Sequence, residues 1–63
     1  MKFIARVCLD NGEEDRFLMD AENGESAIEI AKYMMNTGFI ECESMLVNTK
    51  HICTVKIDRC NVI

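Results

Sequence analysis

The sequence predicts an α+β domain of ββαββ order, a four-stranded antiparallel sheet with one helix packed on one face. Three observations predict it. Residues 23 to 38, NGESAIEIAKYMMNTG, place apolar residues at helical spacing. Residues 2 to 9 and 15 to 21 alternate apolar and polar side chains around Asp10-Asn11-Gly12-Glu13. Residues 40 to 48 and 51 to 58 repeat that strand-turn-strand reading after the helix.

The first strand, KFIARVCL, sets Phe3, Ala5, Val7 and Leu9 on one face and Lys2, Ile4, Arg6 and Cys8 on the other. Asn11 and Gly12 tolerate positive φ, which suits a hairpin turn. In the second strand, DRFLMDA, Phe17, Met19 and Ala21 share a face. A strict two-residue turn would oppose Val7 to Arg16. A three-residue loop that opposes Val7 to Phe17, Ala5 to Met19 and Phe3 to Ala21 satisfies the hydrophobic pattern, because one slip turns every side chain over. That register also sets Lys2 across from Glu22.

In the helix Ala27, Ile30, Ala31, Met34 and Met35 form a stripe, widened by Ile28, with Glu25, Glu29 and Lys32 opposite. Asn23 and Ser26 compete as N-cap. Asn23 is preferred, since a start at Ser26 leaves only about three turns. Gly38 suits the left-handed position that closes a helix. The methionines read as core filling.

The second hairpin turns at Thr49-Lys50, pairing Val47 with Ile52, Met45 with Thr54 and Glu43 with Lys56. Cys42, Ser44, Leu46, Cys53, Val55 and Ile57 then share a face. The tail from Arg59 to Ile63 either extends the last strand or leaves the domain. A right-handed crossover gives the strand order 2-1-3-4.

The segment Phe17 to Lys32, FLMDAENGESAIEIAK, resembles a strand-to-helix join found in many small α+β domains, short proteins of phages and mobile elements among them. The resemblance implies the ββα arrangement and no function.

With 63 residues the chain is expected to be one domain over 1–63, burying about 60% of its unfolded surface. Domains this small often gain stability by oligomerising. No secretory signal and no apolar run near the roughly 18 residues of a membrane span is visible, so a cytoplasmic protein is expected. Net charge is −4, with eight carboxylates between Asp10 and Glu29. An acidic chain binds nucleic-acid phosphates poorly, so no nucleic-acid partner is expected. The acidic end reads first as a solubilising surface and second as a contact for a basic partner.

The four cysteines, Cys8, Cys42, Cys53 and Cys60, form no metal knuckle. They read as reduced, small apolar residues, with Cys60 the most exposed. His51, Cys53 and Cys60 could gather near one end of the last strand, one ligand short of a zinc site. His51 reads as a solvated turn residue with no orienting group. Neither Asn11-Gly12 nor Asn23-Gly24 forms a phosphate loop. No metal, cofactor or catalytic residue is expected.

The sheet face away from the helix carries the functional expectation. It holds Ile4, Cys8, Leu18, Met45, Val47 and Ile52, ringed by Lys2, Arg6, Arg16, Asp20, Glu43, Thr54 and Lys56. An apolar centre with a charged rim is the layout of an interface. Ile4, Leu18, Met45, Val47 and Ile52 are its expected contact residues. The reading is a non-enzymatic binding protein, a homodimer or higher oligomer. It would act as a regulatory or inhibitory accessory protein of phage or mobile-element type by docking on a protein target. The alternative is an oligomer that binds a small anionic metabolite or nucleotide between subunits through Arg6, Arg16 and Lys56.

Overall fold

The computed structural model describes residues 1–60. In chain order it contains β1 (Lys2–Leu9), β2 (Glu14–Asp20), α1 (Gly24–Met35), β3 (Phe39–Glu41), β4 (Leu46–Asn48), a single 3-10 turn at Thr49–His51, and β5 (Ile52–Arg59). The class is α+β, as the sequence predicts. The strands, however, form two antiparallel sheets in place of one four-stranded sheet. One is three-stranded in the order β2-β1-β5, and the other is the pair β3-β4.

The first hairpin has a three-residue loop. The Leu9 N–H donates to the Glu13 carbonyl at 2.9 Å, and Gly12 closes the turn with φ +89°. The register differs by two residues from the expected one. Phe3 opposes Met19, Ala5 opposes Phe17, Val7 opposes Asp15, and Lys2 opposes Asp20 rather than Glu22. A shift of two preserves the faces, so the apolar pattern fits either register equally. The turn geometry decides between them.

The Asn23 side chain accepts from the Ser26 N–H at 2.9 Å and caps α1. Gly38 has φ +94° and lets the chain turn back past the helix end. Ala27 and Ala31 are the buried helix residues, and Ile30, Met34 and Met35 pack at their flanks. Small side chains on this stripe let the helix sit close to the sheet. Ile28 does not join the stripe and is 48% exposed.

The predicted strand over 40–48 is broken at Glu43-Ser44. Cys42 donates its N–H to the Met45 carbonyl at 2.9 Å, which folds the segment on itself as β3 and β4. Ile40, Cys42 and Val47 therefore all face the core, with the turn absorbing the change of parity. The expected turn at Thr49-Lys50 is a 3-10 turn whose Lys50 N–H is capped by the Asn48 side chain at 3.0 Å. It carries β5 away from β4 and onto β1. The expected Val47–Ile52, Met45–Thr54 and Glu43–Lys56 pairs do not form.

The core comprises Phe3, Ala5, Val7, Phe17, Met19, Ala27, Ala31, Ile40, Cys42 and Val47. Val55 and Ile57 pack half-buried at its margin, while Leu46 and Cys53 are exposed rather than buried. Full burial of an aliphatic side chain such as Ile40 or Val7 contributes about 1.5–3 kcal/mol. Among the described residues no helix is long and apolar enough to cross a membrane.

Candidate functional site

Period-two alternation leaves the even-numbered residues of β1 and β2, and those of β5 from Thr54 onward, on the face away from the core. The register lines them up in rows. Arg16 opposes Arg6, and Arg6 opposes Lys56. In the next row Leu18 opposes Ile4, and Ile4 opposes Asp58. On the other side lie Glu14, Cys8 and Thr54. Three of the seven cations of this acidic chain thus stand side by side, each exposed.

Like charges directly opposite one another destabilise a sheet, so this row costs folding free energy. One cation is partly relieved. Arg16 Nε donates to Glu43 Oε2 at 3.0 Å, a contact open to solvent. Among the described residues neither Arg6 nor Lys56 forms an ion pair. Arg6 and Arg16 border a shallow depression of about 340 Å³ that Glu14 and Asp15 also line.

Asp15 is a structural group. Its carboxylate accepts from the Arg16 N–H at 2.8 Å, the Ser44 N–H at 3.2 Å and the Ser44 hydroxyl at 2.9 Å. These hydrogen bonds, that from the Arg16 N–H foremost, hold its pKa below the ordinary 3.8. At the other end of the face Asp20 accepts from the N-terminal ammonium at 3.0 Å and lies 3.4 Å from Lys2 Nζ. The ammonium hydrogen bond and charge, then Lys2, lower its pKa as well.

The sequence-predicted residues divide cleanly. Arg6, Arg16 and Lys56 are brought together in one row. Ile4 and Leu18 are neighbours in the adjoining row, and Leu18 is 54% exposed. Val47 is not on this face but in the core, 3% exposed. Met45 and Ile52 also leave it and pack half-buried against the core: Met45 lies in the turn before β4, and a register shift in the β1–β5 pair sets Ile52 opposite Leu9 rather than in line with Thr54.

Sequence reasoning missed one pair. His51 does have an orienting group, since its Nδ1 lies 3.1 Å from Asp10 Oδ2, and the Asp10 N–H donates to the His51 carbonyl at 2.8 Å. The pair borders a cleft of about 440 Å³ with Asn11, Leu46 and Asn48. The two residues sit 41 positions apart, and only the β1–β5 pairing joins them, so no local motif announces them. His51 and Cys60 flank the two ends of β5 and do not gather at one end. Among the described residues no three His, Cys, Asp or Glu side chains form a metal-binding group. Burial pushes the Cys42 thiol pKa up, with the Asp15 charge adding to it.

Comparison with family models, with curated proteins and with solved structures finds no match for this chain.

Proposed function

We propose that this chain is a small non-enzymatic binding protein that docks on an acidic, partly apolar surface of a protein partner through the open face of its three-stranded sheet. The observation that carries this reading is the row Arg16–Arg6–Lys56 beside the row Leu18–Ile4. A partner carboxylate placed over the cations would relieve their mutual repulsion, and partner apolar groups would cover Leu18. Such a protein acts by occupying a surface, which suits a regulatory or inhibitory accessory role of the phage or mobile-element kind.

A second reading, capture of a small free anion by the same cations, draws on the depression between Arg6 and Arg16. Glu14 and Asp15 border that depression too, so its local charge is near balance. That balance favours an extended contact surface over an anion sink.

The two readings separate in one titration series followed by backbone amide shifts. The probes are an acidic peptide alternating Leu and Glu, and inorganic pyrophosphate. Docking predicts shifts at Ile4, Arg6, Arg16, Leu18 and Lys56 with the peptide. It also predicts that Arg6→Glu weakens binding at least tenfold, about 1.4 kcal/mol. Leu18→Asp should weaken the peptide and leave pyrophosphate unaffected. Shifts confined to other surfaces, or equal binding by Arg6→Glu, would contradict the proposal.

A further inference from the structure

The two long edges of the three-stranded sheet differ, and the difference points to a second surface, separate from the open face. In the β1–β5 pair the Cys60 N–H donates to the Lys2 carbonyl at 2.9 Å. Antiparallel strands alternate hydrogen-bonded and non-bonded pairs. Thr54, Lys56 and Asp58 therefore direct their backbone groups at β1, in register with Cys8, Arg6 and Ile4. Val55, Ile57 and Arg59 direct theirs outward. Among the described residues no other strand pairs with β5 on that side. Val55 and Ile57 are also only half-buried, lying at the rim of the core.

We infer that β5 pairs antiparallel with β5 of a second copy of this chain, about a two-fold axis through Ile57, to make one six-stranded sheet. Side-chain chemistry selects both the partner and the register. A strand added here must place same-face residues side by side, so a two-fold axis falls on a single residue. An axis at Lys56 sets two ammonium groups against each other. An axis at Val55 sets Lys56 against the partner's Thr54, which has no charge to answer it. An axis at Ile57 sets Lys56 of each copy against Asp58 of the other, and Ile57 against Ile57. It also makes the outward groups of Val55, Ile57 and Arg59 into hydrogen-bonded pairs, while the Lys56–Asp58 pairs fall at the close, non-bonded positions, where side chains interact most strongly. A lysine on an edge strand ordinarily discourages strand addition. Here Asp58 two residues on lets a second copy, in this register alone, answer it twice.

The pairing engages Lys56, which the docking reading also uses, but leaves Arg6, Arg16, Ile4 and Leu18 open in both copies, so either reading can fail without the other. Its geometry permits a register-specific test. With the axis at Ile57, residue 54 of one copy lies across from residue 60 of the other, at a close non-bonded pair. In a Cys8→Ser, Cys53→Ser background, Thr54→Cys should form a covalent dimer on mild oxidation, with peptide mass mapping finding residue 54 joined to Cys60. The background removes Cys8, which opposes Thr54 within the chain. Lys56→Asp alone and Asp58→Lys alone should each shift the sedimentation mass toward monomer, and the two together should restore the dimer. Lys56→Asp places a carboxylate beside Arg6, so loss of folding would not explain its monomer. A monomeric native chain, a linkage other than 54 to 60, or a dimer indifferent to both charge reversals would overturn the inference. Loss of peptide docking with an intact dimer would overturn only the docking reading.

Discussion

The β2 and β5 edges are built from strands of similar length, yet among the described residues one is interrupted and the other is bare. On β2 the outward groups of Arg16 are both occupied. Its N–H meets the Asp15 carboxylate at 2.8 Å, and its carbonyl accepts from the Glu43 N–H at 2.9 Å. The segment 43–44 thus stops strand addition at mid-edge, helped by the Arg16–Glu43 ion pair. On β5 three successive outward positions, Val55, Ile57 and Arg59, meet no such segment among the described residues. An edge blocked by the chain's own loop and an edge left with complementary charges serve different ends. The first protects against indiscriminate pairing, and the second admits one partner in one register.

The contrast can be broken most strongly through the core that holds the blocking loop. Ile40 anchors the β3–β4 pair and is 1% exposed. Ile40→Ala should cost about 2–5 kcal/mol in denaturant unfolding, and the β2 amides around Arg16 should lose exchange protection first. Unchanged protection there would mean that the loop does not depend on its buried strand.

Asp15→Ala removes the carboxylate that holds Ser44 and the Arg16 N–H. The melting temperature should fall at neutral pH. Because folding depresses the Asp15 pKa, its stabilisation is complete above the ordinary value of 3.8 and is lost as pH falls through the lower folded value. The difference between native and variant should therefore narrow below about pH 4. A constant difference down to lower pH would assign the effect to packing.

The smallest effect is expected at the Arg16–Glu43 pair, where both side chains are more than half or about half exposed. A double-mutant cycle with Arg16→Ala and Glu43→Ala should give about 0.2–1 kcal/mol and shrink with added salt. A salt-insensitive coupling would identify the hydrogen bond, rather than charge, as its source.

The first half of the chain was legible because its signals are local. The Asn11-Gly12 turn, the Asn23 cap and the alternation of Phe3, Ala5 and Val7 each specify a neighbour. The second half misleads because Cys42-Glu43-Ser44-Met45 holds no glycine or proline to announce a turn, although its backbone turns there. What ends β3 is a set of contacts with Asp15 and Arg16, 27 to 29 residues away, which periodicity does not report. The cation row was half legible for the same reason. Alternation places Arg6, Arg16 and Lys56 on a common face under either topology. Only the β1–β5 pairing makes them adjacent and turns Ile52 away, while the β3–β4 turn moves Met45 and Val47 elsewhere.

The difference between the two edges is tested most directly by amide hydrogen exchange along β5 at low and high protein concentration. Thr54, Lys56 and Asp58, bonded to β1, should be protected at both. Val55, Ile57 and Arg59 should exchange freely when dilute and gain protection together as concentration rises. If those three amides exchange freely at every concentration, or are already protected when dilute and monomeric, the bare edge assigned to β5 is contradicted.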